Sequence, residues 1–232
     1  MSKVQLVTKT EGIGKYKGLT SEEIVAAIAR HGVIKEDNGK LVKYLLTNKH
    51  FSPLDMINFT FEIETSRDIG RQILRHASIK FQEHSTRYSD RVTFEKVELR
   101  KEHPTNRQSS VEVMDFSNIT DHMDDRLFSI DDQVVDPNEA IEIYLELGKQ
   151  LYEHLIKNKV AKECARKILP GCLTTTMSAN GTLRSWLSFL NVRLDFHTEK
   201  ECQEIAEQIG LALEKELPNV FGNINWKTGM FL

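Results

Sequence analysis

Apolar and polar positions alternate most clearly at residues 56–64, where Ile57, Phe59, Phe61 and Ile63 are separated by Asn58, Thr60, Glu62 and Glu64. A period of two predicts a strand with one face on a core and the other face polar. Val4 and Leu6 mark a shorter strand at residues 3–8 in the same way, and residues 92–99 predict a third. After Ser66 and Asp68 the spacing of Ile69, Ile73, Leu74 and Ala77 fits 3.6 residues per turn, so a helix is expected there. Other helices announce themselves by their caps. Thr20-Ser21-Glu22-Glu23 is a capping box that opens a helix through Ile24, Ala27 and Ile28, and Gly32 can close it. Asp136-Pro137-Asn138-Glu139 supplies an N-cap, a proline at the first helical position and a glutamate two residues on, before Ile141, Tyr144, Leu145, Leu151 and Leu155. Further helices are predicted at 41–48, at 161–169 before Pro170, at 182–194 and at 198–217, the last opened by a T-x-x-E box at Thr198. Strands early and long helices in the C-terminal half predict an α+β fold, an antiparallel sheet with packed helices.

The 232 residues suit a single domain, 1–232, large enough to bury a core without disulfides. Residues 100–135 interrupt the pattern: Asp121, Asp124, Asp125, Asp131 and Asp132 have few cations near them, which suggests a surface insertion with room for a helical turn. A hydrophobic content of 40% and a charged content of 28% are those of a globular chain. The net charge of −3 exerts no general pull toward nucleic acid or membrane, and no nucleic-acid partner is expected. The longest apolar runs, such as 24–29, are too short to cross a bilayer, so no membrane partner is expected either. Met1 is followed by polar Ser2 and Lys3, not by a signal-peptide core, and the three cysteines follow no CxxC spacing. Both features predict the reducing cytoplasm. The histidines form no HExxH or HxH cluster, so no metal site is expected.

Chemistry concentrates between Arg71 and Ser89. On a continuous helix Arg71 would stack on Arg75, and Gln72 on His76, at i,i+4. Two cations at that spacing repel by about 0.2–0.5 kcal/mol, a cost that a bound anion would reverse. Ser85, Thr86 and Arg87 then offer hydroxyl, backbone and guanidinium donors in succession, a possible grip on phosphate. A solvated basic helix face followed by a turn would use the same residues. Cys164, though flanked by Lys162, Arg166 and Lys167, is expected to pack in a core, and Cys172 and Cys202 to be structural. Gly12, Gly14 and Gly18 lack phosphate-loop spacing and predict a turn, and Trp186, Phe189 and Leu190 fall at core spacing on one helix.

Four ordered blocks spanning roughly residues 40–210 resemble the flavin-dependent thymidylate synthases. Arg75-His76-Ala77-x7-Ser85 is similar to their RHR-x7-S signature, and His50-Phe51-Ser52-Pro53 to the segment that reaches the flavin. Ala165-Arg166-x-x-Leu169-Pro170 resembles a helix end carrying a nucleotide-binding arginine, and the run from Arg184 to His197 resembles the R-S-L-x-x-F-L-N-x-R helix. The resemblance implies conversion of dUMP to dTMP with methylenetetrahydrofolate as carbon donor and FAD, reduced by NADPH, as hydride carrier. It also implies a homotetramer with shared active sites and no cysteine nucleophile. Carried over by position, Gln72, Glu83, His84, Ser85, Thr86, Arg87, Arg166 and Arg193 would bind dUMP. His50, Ser52, Arg75, His76, Ala77, Glu83, Thr182, Arg184, Ser188 and His197 would meet FAD. Arg193 would be the catalytic residue, stabilising negative charge on the uracil ring, with Asn191, Asp195 and His197 placed to orient it.

Departures from the family pattern gather on the cofactor side. Ala77 stands in place of the second arginine, Thr182 and Ser188 in place of asparagines, Met56 in place of a histidine and Glu199 in place of a glutamine. Weaker retention of FAD is the expectation. The alternative is a catalytically silent nucleotide-binding or interaction protein of the same fold.

Overall fold

The alternation at Phe59, Phe61 and Ile63 builds the strand on which the rest of the sheet is laid. The computed structural model describes residues 2–35, 39–85, 92–106, 109–116, 128–130 and 133–228. In chain order the first elements are β1 (Lys3–Lys9), α1 (Ser21–Ala29), α2 (Gly39–Thr47), β2 (Asn58–Ser66), α3 (Arg67–Ile73) and β3 (Lys80–Glu83). Two short pairs follow, β4 (Arg100–Glu102) with β5 (Ser110–Val113) and β6 (Phe128–Ile130) with β7 (Gln133–Val135). The remainder is α4 (Pro137–Lys157), α5 (Lys162–Ala165), β8 (Thr174–Thr182), α6 (Leu183–Arg193), α7 (Lys200–Glu216) and α8 (Pro218–Phe221). The chain divides into two compact units. The larger holds Ser2–Thr65, Ile69–Glu83 and the chain from Thr176 onward; the smaller holds Ser66–Asp68 and His84–Thr175.

In the larger unit the strand order is β1-β2-β8-β3. β1 and β2 are antiparallel with Leu6 opposite Phe61, as are β3 and β8 with Phe81 opposite Ala179. β2 and β8 also run in opposite directions: Leu183 N–H donates to the Ile57 carbonyl at 3.0 Å, and Asn180 Nδ2 donates to Thr60 Oγ1 at 2.8 Å. Phe59, Phe61, Ile63, Met177 and Ala179 are fully buried together with Trp186, Phe189 and Leu190 of α6 and Ile205, Ile209 and Leu213 of α7. Each large side chain so buried contributes about 1.5–3 kcal/mol. The Trp186 ring meets Phe61 edge-on at 4.9 Å, and its Nε1–H is satisfied by the Phe59 carbonyl at 3.0 Å.

β8 was hidden from the hydrophobic pattern because its buried positions are Thr175, Met177, Ala179 and Gly181, mostly too small to register. Their size has a reason at Gly181. A Cβ there would come within 3.2 Å of Ile79 and 3.3 Å of Ser185 and Trp186, so the missing side chain lets α6 and the turn before β3 close on the strand. This late strand, at the centre of the sheet, also means that strands are not confined to the first half of the chain.

The capping box of α1 is present in both directions, Glu23 N–H to Thr20 Oγ1 at 3.3 Å and Thr20 N–H to Glu23 Oε2 at 2.7 Å. Gly32, at φ +87°, closes that helix by donating to Ala27 at 2.7 Å. The cap at Asp136 and the core placement of Trp186, Phe189 and Leu190 also agree with the pattern. Four local expectations are corrected. The helix after Ser66 stops at Ile73, because Leu74 and Ala77 find nothing to bury against and remain exposed. Arg71 and Arg75 therefore do not stack on one helix, nor do Gln72 and His76. The strand at 92–99 reduces to a bridge between Phe94 and Leu173 in the smaller unit, with Glu95 N–H donating to Cys172 O and Thr174 N–H to Thr93 O, both at 2.8 Å. The helix at 161–169 breaks after Ala165 into a tight turn at Arg166–Ile168, since Pro170 forces Leu169 into an extended conformation. Finally, α7 has Glu199 at its N-cap without a side-chain cap; the Thr198 hydroxyl donates to the Val192 carbonyl at 3.1 Å.

Of the insertion at 100–135, the described residues form the two hairpins in the smaller unit. α4, also in that unit, buries only Tyr152 among its 21 residues while Ile143, Tyr144, Leu147 and Leu151 lie exposed. Cys164 is exposed, contrary to the packing expected of it, whereas Cys202 is buried. Among the described residues no helix is long and apolar enough to cross a membrane.

Candidate active site

The segment from Leu74 to Ile79 does not continue α3 but doubles back along α6. Two contacts fix it: the Ser185 hydroxyl donates to the Ser78 carbonyl at 3.1 Å, and the His76 ring packs on Phe189 at 4.8 Å. In the Arg75-His76-Ala77 motif only the middle residue turns inward. Arg75 and Ala77 are exposed.

At the C-terminal end of α6, Arg193 Nε donates to His76 Nε2 at 2.8 Å and Nη2 donates to the Gln72 carbonyl at 2.6 Å. Because a guanidinium only donates, the His76 proton must sit on Nδ1. Burial, and then the adjacent Arg193 charge, lower His76 from an ordinary 6.5 to about 4, so the ring is neutral at physiological pH. The side-chain amide of Gln72 donates to Glu199, the residue that stands in place of a glutamine. Asp195 and His197, expected to orient Arg193, turn to each other instead. Asp195 Oδ1 accepts from the His197 backbone at 2.9 Å and lies 2.7 Å from its Nδ1, contacts that hold the carboxyl below its usual range. Asp195 lies in the turn beyond Arg193, the last residue of α6, where its carboxyl is occupied by His197.

At the N-terminal end, about 16 Å away along the helix axis, Thr182 caps α6 by accepting from Ser185 N–H at 3.1 Å. Its hydroxyl donates to Asp55 Oδ1 at 3.1 Å, and Arg184 Nη1 donates to Asp55 Oδ2 at 3.1 Å. Arg184 also lies 5.9 Å from the centre of the Phe51 ring. Ser52, in the same turn as Asp55, and Ser188, one helical turn after Arg184, are exposed. Asp55 is the partner of Thr182 and Arg184 that the sequence pattern did not reveal; its only signal was an acid in a short turn beside the SP dipeptide.

The other expected residues are scattered. His50 is exposed and meets Tyr44 edge-on at 5.8 Å. Glu83 ends β3 opposite Met177, while His84 and Ser85 are exposed and belong to the smaller unit, as does Arg166 in its turn. Thr86 and Arg87 lie outside the described residues. Burial pushes the Cys202 thiol up to about 11, and in the smaller unit burial with the neighbouring Asp68 raises Cys172.

An antiparallel sheet backed by helices, with one arginine at each end of its central packing helix, defines an α+β protein. The family model described as thymidylate synthase complementing protein matches residues 14–219. A flavin-dependent thymidylate synthase of Synechocystis sp. is 35% identical over 223 residues, covering 95% of this chain and 97% of that one. A protein of Paramecium bursaria Chlorella virus 1, named a probable flavin-dependent thymidylate synthase, is 30% identical over 213 residues, 89% and 92% of the two chains. Among solved structures, the UMP/dUMP methylase PolB from Streptomyces cacaoi, bound with 5-Br UMP, superposes with a TM-score of 0.74 over 96% of this chain and 93% of that one; at 24% identity this bears on the fold. The chain belongs to the flavin-dependent thymidylate synthase family and is an enzyme of that flavin-using class.

Proposed function

We propose that the enzyme converts dUMP to dTMP with methylenetetrahydrofolate as carbon donor and NADPH-reduced FAD as hydride carrier. The observation that carries this reading is the held guanidinium of Arg193. Its Nε edge is engaged by two neutral acceptors, His76 and the Gln72 carbonyl. The outer edge, Nη1 with the second Nη2 proton, remains for a ligand. A planar pair of donors suits two adjacent acceptors, such as the carbonyl and ring nitrogen of uracil, and stabilises negative charge arising there. Gln72, Ser85, Thr86, Arg87 and Arg166 are assigned to the nucleotide, with Glu83 and His84 beside them.

The residues assigned to FAD fit a dinucleotide in donor type. Arg75, Ser52 and Ser188 are exposed, and Arg184, 54% exposed, gives Asp55 only one of its nitrogens. Cations with hydroxyls suit a diphosphate and its sugars. His50, Glu83 and His197 complete that set, Thr182 contributes through Asp55 and Arg184, and Ala77 leaves space where a cation is absent. Bound FAD supplies the hydride chemistry; the chain's own part is to hold the nucleotide, fix Arg193 and keep its charge available.

A homotetramer with shared active sites accords with α4, whose exposed Ile143, Tyr144, Leu147 and Leu151 a second copy would cover. The exposed Cys164 suits a reducing cytoplasm. Anaerobic incubation with dUMP, methylenetetrahydrofolate, FAD and NADPH, followed by chromatography of the nucleotides, tests the reading. dTMP should form, and omission of any one component should abolish it. Binding of dUMP and FAD without dTMP would identify a silent nucleotide-binding protein instead.

A further inference from the structure

We propose that the His76 side chain is a positioning group for Arg193, locking the guanidinium by accepting its Nε–H. The proposal rests on the reading of Arg193 as the group that meets uracil. Three observations lead to it. First, the bonds to His76 Nε2 at 2.8 Å and the Gln72 carbonyl at 2.6 Å fall on one edge of the guanidinium plane. Two anchors on one edge stop rotation about the Cδ–Nε bond and leave the opposite edge pointing away from them. Second, both anchors are uncharged, since burial keeps the imidazole neutral and the other acceptor is a backbone carbonyl. A carboxylate in either place would neutralise the cation; the nearest acid in sequence, Asp195, is bound to His197. Third, the imidazole cannot easily swing out. It packs on Phe189 at 4.8 Å, in a turn tied to Ser185 at 3.1 Å through the Ser78 carbonyl. The inward face of the Arg75-His76-Ala77 motif is thus spent on Arg193, while its outward residues remain for the cofactor.

The test compares His76→Leu, which keeps apolar bulk against Phe189 but accepts nothing, with His76→Gln, which restores an acceptor. Both are assayed as FAD-loaded enzyme, alongside Arg193→Ala. His76→Leu should lower kcat for dTMP formation by at least about tenfold, the scale expected when a reacting group is misplaced by a fraction of an ångström to an ångström. FAD affinity, read by flavin fluorescence, should stay within about twofold, a change worth less than ~0.5 kcal/mol. His76→Gln should recover most of the lost kcat. If His76→Leu fails to accumulate, His76→Gln against His76→Met gives the same contrast of strong and weak acceptor at similar length. Loss of FAD affinity with kcat intact at saturating FAD would overturn the proposal and make His76 a flavin ligand. Full turnover by His76→Leu where Arg193→Ala has lost it would also overturn it, leaving the role of Arg193 standing. Normal turnover by Arg193→Ala would instead remove the reading beneath both.

Discussion

Two arginines stand nine residues apart on α6, and the fold treats them in opposite ways. Arg184 faces solvent and is met by a carboxylate, Asp55, with both side chains substantially exposed at 54% and 34%. Arg193 is half-buried and is met by an imidazole and a peptide carbonyl, neither of which bears charge. The exposed ion pair is screened by water and contributes little to stability. The held arginine forms hydrogen bonds without surrendering its charge, so its field is available to a ligand in a site of lower dielectric. One helix thereby carries a screened cation at its start, suited to gripping a phosphate reversibly, and a preorganised one at its end, suited to charge that develops during reaction.

The largest effect should come from removing the preorganised member. Arg193→Ala and Arg193→Lys should fold and take up FAD, yet form dTMP about 10²–10³-fold more slowly, equivalent to roughly 2.7–4 kcal/mol of lost stabilisation. Lysine should rescue little, because a point charge cannot make the two anchoring bonds and still present a planar edge. Near-normal dTMP formation by the alanine variant would erase the distinction between the two arginines.

The next effect adds charge at the exposed side. Ala77 is exposed in the turn before β3, so an arginine there would reach out from the surface. Ala77→Arg should tighten FAD by about 1.5–3 kcal/mol, the worth of one charged hydrogen bond, in a fluorescence titration. Unchanged affinity would mean that the exposed side already has the cations it needs.

Part of this comparison was legible in the sequence and part was not. The strict alternation around Phe59 and Phe61 located β2, and the boxes at Thr20 and Asp136 located two helix starts, because those signals are local. β8 was not legible, since Thr175, Ala179 and Gly181 are small for the sake of close packing and leave no hydrophobic period. Family resemblance singled out both arginines. It could not supply Asp55 or the inward turn of His76, since each depends on where a segment distant in sequence packs against α6. Periodicity extended α3 through Ala77, whereas burial ends it at Ile73, and only that early end allows His76 to reach Arg193.

A third prediction separates the two ends by pH. His76 titrates near 4 when folded and near 6.5 when it behaves ordinarily, so between these values the unfolded chain binds more protons than the folded one. Stability contributed by the neutral ring is therefore complete above about 6.5 and declines as the pH falls toward 4. Urea midpoints should drop across that window in the parent enzyme, and the drop should be shallower in His76→Gln, which has no group to protonate. Equal slopes would place the imidazole outside the clamp.

The smallest effect concerns Asp55. Its carboxylate takes one hydrogen bond from Thr182 and one from Arg184, each at 3.1 Å. Thr182 retains its capping role through Ser185 N–H when the acid is gone, and Arg184 retains its position over Phe51 at 5.9 Å. What is lost is an exposed ion pair, worth about 0.2–1 kcal/mol. For a chain of this length that corresponds to a fall in Tm of no more than roughly 2–4 °C. Asp55→Asn should therefore melt close to the parent, and the difference should shrink further in high salt, where exposed charges are screened. Arg184, relieved of its carboxylate, should hold FAD as tightly as before or slightly more tightly. A loss of stability several times larger, insensitive to salt, would show that the pair behaves as a buried one. The start of α6 would then be as rigidly organised as its end, and the contrast between a screened and a preorganised arginine would no longer describe this helix.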